Sequence, residues 1–454
     1  MGGAAATACV PKSDDSAAPD AVPGLPPGID HIILVMMENR SFDHFLGSLA
    51  LLEGRADTDG LAAGMANPDA AGALYEPAPA AVDCLPDPPH SWSGSHNQFN
   101  GGANDGFVRE YAAGGADAPG EVMGYMTREE LPVTYALADH YAVCDRYFAS
   151  VMGPTWPNRF YGHAGTSEGL TGNSLPEQLG TTLLTVWQKL DAAGLDWRYY
   201  YTDIPFLVVI PGHDLTRHGG FLEDFVDDCA AGTLPPVSWL DPGFGINDDH
   251  PPHHVGMGQE FLSMVYAALA SSPLWERCLL VITYDEHGGF FDHVPPPTTE
   301  DDLAGEGFDQ LGFRVPTVVV GPYVQAGTVS DVFDHTSWLK YVCERFGIEP
   351  WTTRIAAANS IGRCLDADRL LRGEPTPPAD VPLVDFPQET LGSECIGGGF
   401  GPTEPPEGDA AGPPDLRRWV GLHHPELDGS PAAEAMLARM RTRLLRRPGH
   451  SPRP

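Results

Sequence analysis

Two adjacent carboxylates, Asp285 and Glu286, close the apolar run CLLVITY and precede Gly288-Gly289. A second apolar run, DHIILVMM from Asp30 to Met37, ends in Glu38-Asn39. Carboxylates and carboxamides are hard oxygen donors, and a set of them suits Mg²⁺, Ca²⁺ or Mn²⁺ better than a thiolate-preferring metal. Acidic residues also end strands merely for solubility, so each pair alone says little. A third element is the turn Gly153-Pro154-Thr155-Trp156-Pro157-Asn158-Arg159. A hydroxyl there is placed to act as a nucleophile if a metal lowers its pKa. A turn threonine satisfying its own backbone reads equally well. Histidines gather on Pro-rich loops: His90 in DPPHSW, His250, His253 and His254 in DDHPPHH, His293 in FDHVPPP and His335 in FDHTSWLK. Each can bind metal when neutral, and can bond a phosphate or protonate a leaving oxygen when charged. Each can equally be a structural hydrogen-bonder.

These groups need a scaffold, and the pattern predicts one. The two runs and a third, VPTVVVGPY from Val315 to Tyr323, are continuously apolar, as interior strands of a parallel sheet must be. Between them GQEFLSMVYAALASSPLWERC and TSWLKYVCERFG carry apolar residues at helical spacing, and Gly347 stands where a C-cap belongs. Alternating strands and helices predict an α/β fold with a mostly parallel, doubly wound sheet flanked by helices. In such sheets reactive groups collect at the carboxyl ends of the strands, where Glu38-Asn39 and Asp285-Glu286 fall. Residues 51–120, rich in Gly, Ala, Pro and Asp, read as long loops across one end of the sheet.

With 454 residues, 42% hydrophobic and 9% aromatic, the chain can bury a large core. Its formal net charge of -36 repels nucleic acid, which excludes sequence-independent nucleic-acid binding. No apolar run is long enough for a transmembrane helix. Residues 1–28 read as a flexible Ala/Pro-rich tail, in which Ala6-Thr7-Ala8-Cys9 is similar to the end of a lipoprotein export signal. Residues 29–350 read as the catalytic domain. Residues 351–454 read as a Pro/Gly-rich acidic segment ending in a basic amphipathic helix, EAMLARMRTRLLRR. None of the eight cysteines forms a CxxC pair, so a thiolate zinc ribbon is not expected. Cys278 and Cys343 read as buried thiols, and Cys364 with Cys395 as a candidate disulfide if the protein is exported.

The motifs VMMENRSFDHFLG, DPPHSW, GPTWPNRFYGH, YDEHGGFFDHVPPP and GFRVPTVVVGP…FDHTS, in this order from His31 to Phe346, resemble the bacterial phosphoesterase family. That family contains phospholipases C and acid phosphatases and belongs to the alkaline-phosphatase superfamily. The resemblance implies an alkaline-phosphatase-like core with long loops, and hydrolysis of a phosphoric monoester or diester through a phospho-threonine. Carried onto this chain, it implies that Glu38, Thr155, Asp285, Glu286 and His335 bind one divalent metal ion (Ca, Mg, Mn or Zn). Thr155 would be the nucleophile, Asn39 would bond the phosphoryl oxygens, and His90 and His250 would contact the phosphate or the leaving group. His253, His254 and His293 have less support, and Arg159 either holds phosphate or braces its loop by ion pairing. The implied partner is a small phosphoester or a phospholipid head group, and the implied location is outside the cytoplasm, as an exported or Cys9-anchored protein. The β-rich C-terminal modules of larger phospholipases C have no counterpart here, which leaves a general phosphatase and a compact phospholipase C both open. A non-catalytic metal- or phosphate-binding protein of the same fold is the alternative. A sulfatase is disfavoured because the cysteine-centred CxPxR-type turn is absent.

Overall fold

The computed structural model describes residues 28–81, 84–173 and 183–387, together with Leu391 and Cys395. The N-terminal tail with Cys9 and the basic C-terminal segment lie outside the described residues. One eight-stranded sheet carries the fold. Its strands in chain order are β1 (His31–Met37), β2 (Ala142–Cys144), β3 (Trp197–Tyr201), β4 (Gly219–Phe221), β5 (Val237–Asp241), β6 (Cys278–Tyr284), β7 (Val318–Val320) and β8 (Gly327–Val329). They lie in the order β8-β2-β7-β6-β1-β5-β3-β4. Every strand runs parallel to β1 except β7, which is antiparallel to both of its neighbours. The mostly parallel α/β sheet expected from the apolar runs is therefore present. All seven residues of β1 and of β6 are buried, which is why these strands read as unbroken apolar runs. The third run is shorter than its sequence suggests. Because β7 is reversed, its carboxyl end lies at the opposite edge of the sheet, away from those of β1 and β6.

Among the helices are α1 (Phe42–Leu46), α2 (Trp92–Phe99), α3 (Pro132–His140), α4 (Thr155–Ala164), α5 (Val186–Ala193), α6 (Leu222–Ala231), α7 (Val255–Ala270) and α8 (Ser337–Phe346). Gly347 caps α8 in the left-handed conformation, φ 66°, as its position after the periodic stretch requires. Helices fall on both faces of the sheet. Gly162 of α4 sits against Met36 and Trp239, close enough that a Cβ would meet the Trp239 ring at 3.1 Å. Leu137 of α3 and Leu262 of α7 instead line a small apolar cavity with Ile282 and Tyr284. Ile282 and Tyr284 pair with Val35 and Met37, the residues flanking Met36, so by strand alternation they face the other way.

Residues 51–120 are not bare loops. They include α2, a helix over Phe107–Ala113, and part of a satellite core in which Leu61, Phe107, Val108 and Tyr111 pack with Val122, Phe291 and Phe313. Short elements at irregular spacing left no periodic trace in the sequence. Residues 351–387 pack on the main core through Ile355, Ile361 and Cys364, and Arg354 is buried against Asp301 and Asp334. The expected Cys364–Cys395 disulfide is not formed. Cys395 bonds Cys84 instead, and Cys364 lies buried with its sulfur 3.6 Å from that of Cys144. Beyond Cys364 the chain runs along α7, where Ala379 and Val384 bond Tyr266 and Ser263, and no sequence spacing reveals which loop Cys395 meets. Cys278 and Cys343 are buried thiols, as their apolar surroundings suggest.

Candidate active site

The register of the two central strands builds the site. Met37 is paired with Tyr284, so the next residue on each strand, Glu38 and Asp285, emerges at the same carboxyl edge. The Asp285 N–H donates to the Met37 carbonyl (3.1 Å), continuing the ladder one step past the strands. Asn39 then turns left-handed, φ 60°, a conformation that asparagine tolerates better than other non-glycine residues. In that turn its N–H donates to Asp285 Oδ1 at 3.0 Å. The Glu286 N–H donates to the same oxygen at 2.7 Å, and the Gly288 N–H to Glu286 Oε2 at 2.6 Å. Gly288, φ 63°, has no room for a Cβ, which would sit 2.1 Å from the Asn39 carbonyl oxygen. Gly289, φ 76°, is equally confined by Pro88 and the Pro89 carbonyl, 2.6 Å from a Cβ position. The Gly-Gly turn is thus the seat on which both the Asn39 turn and the His90 loop rest.

Thr155 is the first residue of α4, and the turn before it is knitted by Asn158. Asn158 accepts from the Val151 N–H at 2.9 Å and donates to the carbonyls of Val151, Gly153 and Pro154. That explains the Pro-Asn spacing of GPTWPN: Pro157 gives up an N–H the first helical turn does not use, and Asn158 closes the turn. The Thr155 hydroxyl, buried, lies 3.4 Å from Asn39 Oδ1 and is its donor. On the other side of Asn39, its Nδ2 faces His90 Nε2 at 3.3 Å. His90 Nδ1 lies 2.7 Å from the Pro88 carbonyl, so Nδ1 carries the proton and Nε2 is left as acceptor toward Asn39. His90 Nε2 is also 3.7 Å from Glu286 Oε1. Six of the expected residues, Glu38, Asn39, His90, Thr155, Asp285 and Glu286, therefore converge.

His250 stands next to them, its ring 5.9 Å from the His90 ring, with Nδ1 held by the Pro251 carbonyl at 2.6 Å. Asp87, His90 and His250 each offer a ligand atom within 4.8 Å of the others, a spacing that can hold a metal ion. His335 arrives from behind: its Nε2 is 2.6 Å from the Asp285 carbonyl, which leaves Nδ1 as its only uncommitted ring nitrogen. Burial lowers the pKa of both His250 and His335 below 6.5. His293 lies elsewhere, in a separate ionic cluster with Asp43, Asp59 and Arg314. His254 caps α7 by accepting from the Gly256 N–H.

The model of the Phosphoesterase family matches residues 29–349. Phospholipase C B of Mycobacterium tuberculosis is 36% identical over 392 residues, 72% of this chain and 75% of that one. The chain belongs to the Phosphoesterase family. Non-specific phospholipase C1 of Arabidopsis thaliana is 37% identical over 333 residues, covering 66% of this chain and 62% of that protein. Among solved structures, phosphonate monoester hydrolase of Agrobacterium radiobacter aligns over 75% of this chain and 77% of its own, at 11% identity and a TM-score of 0.35. A likeness that low adds nothing to the reading of the site. As a member of this family the chain is a hydrolase of phosphoric esters.

Of the two readings offered for Arg159, the structure of this phosphoesterase shows the ion-pairing brace, and two features escaped the sequence. The first is the set of carboxylates that Arg159 serves, Asp241 among them. The arginine is wholly buried and pairs with Asp241 (3.0 Å), Glu38 (3.3 Å) and Asp285 (3.5 Å), and it donates to the Met36 carbonyl at 3.0 Å. Asp241 ends the buried strand β5 just as Glu38 and Asp285 follow β1 and β6, so the strand-end rule would have found it had the short run VSWLD been read as a strand. The second is the hydrogen-bond support of the histidines. Asp87 lies 3.4 Å from His90, the Asp248 side chain bonds His253, and His287 bridges Glu286 and Gln98.

One guanidinium cannot neutralise this many carboxylates. Among the described residues, Asp285 Oδ2 and Glu286 Oε1 are buried without a hydrogen bond. Burial, reinforced by the neighbouring Asp285 charge, pushes the Glu286 carboxyl well above the ordinary carboxylate range. Buried carboxylate oxygens left without donors are costly unless a cation faces them. The donor set is all oxygen apart from the histidines, and it fits a divalent cation.

Proposed function

We propose that this phosphoesterase cleaves phospholipid phosphodiesters in the manner of a phospholipase C, with Thr155 as the nucleophile and one divalent cation held by Glu38, Thr155, Asp285 and Glu286. The relatives named phospholipase C support the substrate class. The observation that carries the residue assignment is the chain of contacts Thr155 hydroxyl, Asn39, Asp285. It joins three distant segments at the carboxyl edge of β1 and β6, beside buried carboxylate oxygens that have no hydrogen bond among the described residues. When bound there, the cation supplies a lowered hydroxyl pKa and neutralisation of phosphoryl charge. The protein supplies the rest. Thr155 Oγ attacks phosphorus, its proton passing to the unprotonated Nε2 of His250 or His90, while the bond to the alcohol oxygen breaks and Asn39 Nδ2 donates to a phosphoryl oxygen. The imidazolium so formed gives that proton to the departing alkoxide. Water then attacks the phospho-threonine, its proton passing to the same imidazole and from there to the departing Thr155 oxygen, which restores the hydroxyl. The N-terminus of the ten-residue helix α4 adds favourable potential for the phosphoryl anion at its first residue.

Thr155→Ala should abolish release of phosphocholine from phosphatidylcholine vesicles, by about 10³-fold or more for loss of a covalent nucleophile. A chelator should do the same to the wild type, and added divalent ion should restore it. Undiminished turnover by Thr155→Ala removes the nucleophile from the proposal. Turnover of an aryl phosphate alone, with none of the phospholipid, would favour the general phosphatase.

A further inference from the structure

The loop that brings His90 to the site is held in an unusual way. Between Leu85 and His90, Pro86, Pro88 and Pro89 have no N–H, so this stretch cannot be fixed by a regular backbone ladder. Its carboxyl side is well anchored: the Pro89 carbonyl accepts from Gln98 Nε2 at 2.7 Å, the His90 carbonyl accepts from Ser95 Oγ at 3.3 Å, and Pro88 and Pro89 press on Gly289. Its amino side has buried Leu85, then exposed Pro86 and Asp87. The covalent fastening on that side is the disulfide from Cys84 to Cys395, 311 residues further along the chain. Cys84 is only six positions before His90.

We infer that Cys84 and Cys395 are positioning residues for His90, the disulfide holding the amino end of the Pro-rich loop so that the imidazole stays on Asn39 and Glu286. The inference rests on the site reading above, in which His90 contacts the phosphate or the leaving group. The relevant distances are short and unforgiving: His90 Nε2 is 3.3 Å from Asn39 Nδ2 and 3.7 Å from Glu286 Oε1. A shift of about 1 Å at a reacting group typically costs on the order of 100-fold in rate. The two cysteines touch neither substrate nor cation, so their effect must pass through the loop. Opening the bond needs a reductant: a small dithiol gives two electrons and two protons to the two sulfurs and becomes a cyclic disulfide.

The test is a cycle of Cys84→Ser, Cys395→Ser, His90→Ala and the double variant Cys84→Ser/His90→Ala, with turnover of phosphatidylcholine vesicles, bound metal and circular dichroism measured for each. Peptide mapping without reductant should first show the 84–395 cross-link in wild type; two free thiols there overturn the inference. The expected result is an equal loss of kcat, about 10- to 100-fold, in either serine variant, with bound metal and circular dichroism unchanged. In the His90→Ala background, Cys84→Ser should cause no further loss, an outcome a merely structural disulfide would not give. Further loss in that background, or full activity of the serine variants, overturns it. Should a serine variant fail to fold, dithiol treatment of the folded wild type replaces it: a reversible loss of kcat supports the tether and no loss overturns it. Full activity of His90→Ala is a different failure, because it removes His90 from the site and the inference along with it.

Discussion

Replacing Arg159 with methionine should damage the fold more than its distance from any substrate suggests. Methionine keeps most of the stem volume between Phe206 and Phe244, where the guanidinium now stacks, so the change removes charge and donors more than packing. What remains is Glu38, Asp241 and Asp285, all buried, with their shared counter-ion gone. Asp241 is the least damaged, because Tyr199, Trp239 and the Phe206 N–H still donate to it. Asp285 keeps the Asn39 and Glu286 N–H groups on Oδ1, but its Oδ2 loses the facing guanidinium, as does Glu38 Oε1. Removing one partner of a buried ion pair costs about 3–5 kcal/mol, and the upper half of that range applies where one cation serves several anions. For a chain of this size each kcal/mol lowers Tm by about 2–3 °C, so the expected fall is roughly 8–15 °C.

The assay is thermal denaturation of wild type, Arg159→Met and Arg159→Lys, each with chelator and with excess divalent cation. Cation facing Glu38 and Asp285 should return part of the loss in the methionine variant. Lysine should lie between the two, because it keeps the charge but cannot fork between Asp241 and the Met36 carbonyl. A methionine variant within about 1 kcal/mol of wild type in the presence of chelator would refute the counter-ion argument, since that is the scale of an ordinary surface pair.

Two further outcomes are expected. Gly289→Ala puts a Cβ 2.6 Å from the Pro89 carbonyl at a left-handed position, so it should cost about 1–2 kcal/mol and lower kcat by about 100-fold through His90, while cation binding measured by titration calorimetry is kept. For His293, burial lowers the pKa, but the hydrogen bond and charge of Asp43 outweigh it and the net shift is above 6.5. Its stabilisation is therefore complete below about pH 6.5 and is lost as pH rises through the raised value. The urea midpoint of wild type minus that of His293→Asn should accordingly shrink between about pH 6 and pH 9; a constant difference contradicts the ion pair with Asp43.

The fold was legible where burial on both faces leaves a compositional mark. DHIILVMM and CLLVITY announce β1 and β6 because every residue in each strand is covered. Their register was not legible, yet it alone turns Glu38 and Asp285 from two strand ends into neighbours. The antiparallel course of β7 was also hidden, since three valines read the same in either direction. Site residues with a chemical identity, Thr155, His90 and the carboxylates, stood out by type. Those with a supporting task were less legible: Arg159 stood between holding phosphate and bracing its loop until its burial was known, and Asn158 reads as an ordinary turn residue until its four contacts with the turn are seen. Cys84 could not be matched to Cys395 because the pairing depends on where 311 intervening residues lead the chain.

The glycine pair shows why the acidic motif and the distant histidine belong to one device. Asp285 and Glu286 need a chain that turns sharply after them so that both carboxylates stay at the sheet edge, and Gly288 and Gly289 provide it at φ 63° and φ 76°. The absence of two Cβ atoms then has a second effect. It leaves room for the Asn39 carbonyl and the Pro88-Pro89 loop to approach the same turn closely. Carboxylates, carboxamide and imidazole are thereby referred to one rigid point rather than to three separate loops. Rigidity at that point costs little flexibility elsewhere, because the Thr155 turn is tied separately by Asn158. The nucleophile and the groups that would face its phosphoryl adduct are thus positioned by two anchors. They meet at the 3.4 Å contact between the Thr155 hydroxyl and Asn39 and, one turn along α4, at the ion pairs of Arg159 with Glu38 and Asp285.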